Sequence, residues 1–228
     1  MKYLKDIDQN SIKAFCEKAV NYYHKEGRHN LPWRETSDPW NILLAEMLLR
    51  KTTAKQVKPV YMRLSQLEPQ EIRDISKEAL EEILHPLGIH KERARLLKLV
   101  GKKIAAEGRE NLSDWDFLIN LPGVGPYTAS MVLSTVFGKS KPGLDSNMIR
   151  VLQRVFSIES TKARAHTDHE LWKAAEEIVP DQEPSAYNWG VMDLASAVCK
   201  PKKPLCSECP MFSVCDYASS IFNGLGES

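Results

Sequence analysis

Apolar residues recur at helical spacing along most of the chain, with Gly and Pro reserved for the joints between segments, and this pattern predicts an all-α protein. The first helix is expected over roughly 9–27. A connector from His29 to Pro39 then leads to a second helix, its start marked by Asp38 as N-cap and Pro39 at the first helical position, running through WNILLAEMLLRKT to Thr52. Further helices are predicted near 53–66, 70–74, 78–84, 91–107 and 114–120. After LPGVG come Tyr127–Phe137 and helices near 147–157, 168–179 and 185–198. Beyond residue 198 the chain reads as a cysteine loop and a tail, with the terminal NGLGES frayed.

Composition narrows this picture. The 228 residues suit one large domain or two modest ones, and 43% hydrophobic content suffices for a packed core without disulfides. Charges nearly cancel at +1, so any basic surface must be local. The opening MKYLKDIDQNS lacks the apolar region of a signal peptide, and no stretch is long enough to span a bilayer; a cytoplasmic protein with no membrane partner is expected. Cysteine usage agrees, because Cys16 stands apart as a small buried residue while Cys199, Cys206, Cys209 and Cys215 crowd together as metal ligands do in a reducing compartment.

Three groups of residues carry chemistry. In Leu121-Pro-Gly-Val-Gly-Pro-Tyr-Thr128, Gly123 and Gly125 permit a tight turn and close backbone approach. Pro126 opens the next helix, whose free amides form a seat for a phosphate. A turn that binds nothing is the competing reading of a bare G-x-G. The cysteines are spaced Cys-x6-Cys-x2-Cys-x5-Cys, with Pro201, Pro204 and Pro210 stiffening the loop, and four such thiolates suit either an iron–sulfur cubane or a tetrahedral zinc. Lys200, Lys202 and Lys203 in the same loop are either phosphate contacts or a solvated charge run. The third group is a pair of carboxylates. Glu46 falls within an apolar run, where an ion pair with Arg50 is its plain explanation, and Asp145 stands at a good N-cap position before SNMIRVLQRVF.

Taken together, these residues resemble the endonuclease III-like helix-hairpin-helix DNA glycosylases, from Leu31-Pro-Trp-Arg34 to Cys215. The most specific matches are the hairpin, Leu144-Asp145-Ser-Asn147 and the cysteine spacing. Leu121, Pro122, Thr128 and Ala129 complete the hairpin signature, and the cysteine spacing equals that of the family's 4Fe–4S loop, which favours the cluster over zinc. The resemblance implies a two-domain helical fold, with a six-helix domain over 28–141 carrying the hairpin. A second domain of 1–27 and 142–228 would carry the cluster loop. Double-stranded DNA is the implied partner and a monomer the implied state.

Finer matches choose the branch. Where the bifunctional branch carries a Schiff-base lysine, this chain has Tyr127, which implies a monofunctional glycosylase that leaves the abasic strand uncut. Adenine glycosylases read two glutamines in place of Arg50-Lys51 and two tyrosines in place of Ile89-His90, and they carry an extra C-terminal domain absent here. The thymine/uracil mismatch branch is closer. Asp145, Glu46 and Tyr127 are then the expected catalytic residues, Gly123, Gly125 and Thr128 the backbone grip, and Arg50, Lys51 and Ile89 the residues entering the base stack. A short adenine glycosylase and a non-catalytic iron–sulfur DNA-binding protein are the rival readings.

Overall fold

The computed structural model describes residues 7–223, which form two units, 7–28 with 138–223 and 29–137. Residues 224–228, most of the stretch expected to fray, lie outside them, as do 1–6. Twelve α-helices and no strand occur among the described residues, so the all-α expectation holds. None of these helices is long and apolar enough to cross a membrane.

In the unit spanning 29–137 the central element is α2 (Pro39–Leu49). Asp38 caps it by accepting from the Trp40 amide at 2.8 Å, and Pro39 fills the first turn, where no N–H is needed. Trp40 and every residue from Ile42 to Leu48 are buried, leaving α2 no solvent face. It is enclosed by α3 (Ala54–Leu64) and α8 (Pro126–Phe137), while α4 (Pro69–Asp74) and α5 (Lys77–Leu84) pack on α6 (His90–Glu107). The short α7 (Trp115–Ile119) precedes the hairpin.

The other unit holds α1 (Gln9–Glu26), α9 (Ser146–Phe156), α10 (His169–Ile178), α11 (Pro184–Ala197) and α12 (Asp216–Asn223). Phe15 of α1 anchors its core, edge-on to Phe156 at 5.1 Å and to Tyr187 at 5.9 Å. Cys16 is buried as expected, its thiol donating to the Ile178 carbonyl at 3.1 Å, and burial pushes its pKa up to about 12.

Two expectations are corrected. Gly and Pro are not confined to the joints: Pro59 lies inside α3, and Gly101 and Gly190 lie inside α6 and α11. A Cβ on Gly190 would stand 2.1 Å from the Ala19 carbonyl oxygen, and one on Gly101 2.5 Å from that of Pro69, so both glycines mark helix crossings too close for a side chain. Secondly, α2 stops at Leu49 instead of reaching Thr52. Arg50 is extended and Lys51 left-handed at φ 57°, because the Arg93 guanidinium takes the carbonyls of Met47, Leu48 and Arg50 that a continuing helix would have used. The remaining expected helices end within two residues of their predicted bounds, and α12 stands where only a tail was expected.

Candidate functional site

The hairpin is fixed from within. Asp114 caps α7 by accepting from the Phe117 amide, the Val124 amide closes the turn on the Leu121 carbonyl at 3.0 Å, and the buried Leu121 and Val124 side chains pin it to the core. Gly123 is exposed at φ 79°, a conformation that excludes most side chains. Gly125 is different, since its added Cβ would meet nothing within 4 Å. The fold does not require glycine there, and the bare backbone leaves room for an external group to approach closely. The Ala129 amide donates to the Gly125 carbonyl at 3.0 Å, the bond that opens α8 and places the amides of Tyr127 and Thr128 in its first turn. Thr128 itself is buried, so its side chain is not offered to solvent.

Accordingly, Gly125→Ala is expected to leave the thermal transition unchanged or slightly raised. Affinity for undamaged duplex should fall about tenfold, equivalent to ~1.4 kcal/mol, in a fluorescence anisotropy titration. Undiminished affinity would remove Gly125 from the grip.

Glu46 lies on α2 at 6% exposure, surrounded in sequence by buried apolar residues. Arg50, its expected partner, directs its guanidinium to the Gly123 carbonyl at 2.8 Å and so ties the end of α2 to the hairpin. Tyr127 stands half-buried in the first turn of α8. Two turns of this unit hold left-handed residues that carry side chains: Lys51, and Ile89 at φ 44°, the latter 59% exposed. Both line one pocket together with Arg50 and Leu96.

In the other unit, Asp145 does cap α9, and its carboxylate stays half-buried. One oxygen accepts from the amides of Asn147 at 2.9 Å and Met148 at 2.8 Å, and the other from the Asn147 side-chain amide at 2.7 Å. Arg150 then donates to the Asn147 side-chain carbonyl at 3.1 Å and to the main-chain carbonyls of Ala195 and Cys199. Capping and chemistry are therefore compatible at Asp145: the same bonds that start α9 fix the direction of its carboxylate. Sequence reasoning missed Asn147 and Arg150 as partners, although their i, i+3 spacing on α9 was available as a signal.

The four clustered cysteines form no disulfide and line one pocket together with apolar residues including Val151, Leu194 and Met211. Burial pushes Cys209 up to about 11 and raises Cys206 and Cys215, so the thiolates a metal needs form here only against added positive charge. Arg154 reinforces the loop, reaching Cys199 Sγ at 3.3 Å and the carbonyls of Lys200 and Pro201 while its guanidinium stacks 4.9 Å from the Tyr217 ring. The donor set fits an iron–sulfur cluster. Lys200, Lys202 and Lys203 are exposed beside it.

Comparison with known proteins bears on the same regions. A model of the HhH-GPD superfamily of base excision DNA repair proteins matches residues 44–177, and a model of the iron–sulfur binding domain of endonuclease III matches 199–215. The thymine-DNA glycosylase of Aeropyrum pernix is 42% identical over 92% of this chain and 97% of its own. The thymine/uracil-DNA glycosylase of Pyrobaculum aerophilum is 45% identical over 86% and 88% respectively. An adenine DNA glycosylase of Buchnera aphidicola reaches 31% identity, with only 60% of its length covered. Among solved structures, that of a thermostable thymine-DNA glycosylase superposes with a TM-score of 0.85 at 31% identity, covering 92% of this chain and 98% of the other.

Proposed function

Because the chain belongs to the HhH-GPD superfamily of base excision DNA repair proteins, we propose that it is a monofunctional glycosylase removing thymine or uracil mispaired with guanine. Glycosidic-bond hydrolysis comes with family membership and an iron–sulfur cluster with the match at 199–215, and Cys199, Cys206, Cys209 and Cys215 are its proposed ligands. The target base and the absence of strand cleavage are the proposed part. Their main support is Tyr127, a side chain without an amine at the start of α8, in a chain whose 42% and 45% identical relatives act on thymine or uracil.

A base within the stack is out of reach, so it must be extruded, and a mispaired base costs less to extrude than a Watson–Crick one. The hairpin amides hold the backbone without reading sequence, while Lys51 and Ile89 enter the vacated stack. As the base departs, positive charge grows on the deoxyribose. The Asp145 carboxylate, held in one direction by Asn147, stabilises that charge more in the transition state than in the ground state, and it orients the attacking water. Glu46 holds the flipped base, and Tyr127 lines its pocket. The cluster supplies loop architecture and electron-transfer capacity when bound, and the hydrolysis needs neither a metal nor a redox step.

Duplexes carrying G·T, G·U, A·G and A·8-oxoguanine, incubated with enzyme and treated with alkali only afterwards, test the proposal. Release from G·T and G·U with an intact strand before alkali is expected. Release from the adenine mispairs alone would install the adenine reading, and cleavage before alkali would show lyase activity. In the same assay Tyr127→Lys should create some borohydride-trappable cleavage, and its failure to do so would remove Tyr127 from the sugar's side.

A further inference from the structure

Arg93 on α6 has no part in the chemistry above, yet it is 5% exposed, a costly place for a guanidinium. Its donors are directed at main-chain oxygens. Nε donates to the Gly88 carbonyl at 3.1 Å, Nη1 to those of Met47 at 3.0 Å and Leu48 at 3.2 Å, and Nη2 to that of Arg50 at 2.6 Å. Three of these oxygens are the open carbonyls at the end of α2, the end of a helix that favours a cation. The fourth belongs to the turn before α6.

Within 29–137 those two turns are the ones that hold left-handed residues other than glycine. Lys51 and Ile89 both hold left-handed backbone, which an isoleucine adopts only when its surroundings over-determine it. Arg93 is the side chain common to both turns, and it lines the pocket between them with Lys51 and Ile89. The Arg50 carbonyl accepts from Arg93 while the Arg50 guanidinium donates to the Gly123 carbonyl, so two arginines join the hairpin, the 50–52 turn and the 88–89 turn in one continuous set of bonds.

We propose that Arg93 is a positioning residue for base extrusion: it holds Lys51 and Ile89 at a fixed spacing so that both enter a mismatched duplex together, in register with the hairpin's hold on the backbone. This rests on the reading of Lys51 and Ile89 as the residues that enter the stack. Without Arg93 each turn relaxes by itself, and the enzyme still holds the phosphates but fails to keep the base out.

The experiment compares wild type, Arg93→Met, Arg93→Lys and Ile89→Ala as cluster-loaded protein. 2-Aminopurine beside a G·T mispair reports unstacking, and single-turnover excision is measured from G·T and from a duplex whose target thymine faces an abasic site. Arg93→Met should retain the cluster's visible absorbance and bind undamaged duplex within about twofold of wild type. It should lose the fluorescence rise and slow excision from G·T by about tenfold or more, while staying within about threefold of wild type opposite the abasic site, where no partner base competes for the stack. Arg93→Lys, which keeps the charge but reaches fewer carbonyls, should fall between, and it carries the same comparison if Arg93→Met does not fold. Equal slowing on both duplexes, or an undiminished fluorescence rise, overturns the proposal. If Ile89→Ala is also without effect, the underlying reading of insertion falls. An Ile89→Ala defect beside an intact Arg93→Met overturns the positioning role alone.

Discussion

Asp145→Asn is expected to lower the single-turnover rate of base release by roughly 10³-fold, the scale seen when one pre-aimed electrostatic contact is removed from a transition state. The substitution is conservative where the fold is concerned. Asparagine is as good an N-cap as aspartate, and its remaining oxygen accepts from the amides of Asn147 and Met148 as the carboxylate does, so α9 should lose less than about 1 kcal/mol. The negative charge is what disappears, together with the acceptor facing the Asn147 side chain. Thermal denaturation, duplex affinity and excision measured on one preparation separate these effects: the first two should stay close to wild type while the third collapses. An unaltered excision rate would reduce Asp145 to a helix cap.

Replacing a cluster ligand has the second large effect, and it acts on structure. Cys209→Ser should abolish the visible absorbance near about 400 nm and release the iron. It should also destabilise the unit that contains α1, α9 and α11 by several kcal/mol, since metal binding to loops of this kind contributes on the order of 10 kcal/mol against a net domain stability of about 5–15. The reason lies in the surroundings of the four sulfurs. Met211, Cys215 and Ala218 belong to the same buried cluster as Val151, Leu152 and Val155 of α9, so an open loop withdraws part of the core. By contrast α2, α6 and α8 bury a separate core and should keep their helicity. Circular dichroism during thermal melting, with iron quantified in parallel, decides the matter. An iron-free variant with the wild-type transition would show that the cluster does not hold this unit together.

Much of the fold and site was legible in the sequence because the signals are local. Asp38 with Pro39, and Asp145 ahead of its helix, announce two starts by cap chemistry alone, and four cysteines in one short loop announce a metal group. The failures share a cause, which is that the deciding partner lies far along the chain. The stop of α2 is set by Arg93, 43 residues beyond Arg50, and no pattern in LLAEMLLRKT reveals it. Gly101 and Gly190 look like weak points in helices until the carbonyls of Pro69 and Ala19 are seen against them. The Arg50 guanidinium reaches the hairpin carbonyl of Gly123 across 73 residues, a bond that no local pattern announces.

The intimate crossing of α1 and α11 at Gly190 has a bearing on biosynthesis. Helix α1 finds its seat only on a segment made more than 150 residues later, whereas 29–137 can condense around its own apolar centre in the interval. The unit that holds α1 is therefore completed only after α11 and the cysteine loop have been made, when α1, its late partner and the sulfur ligands are at last available at the same time.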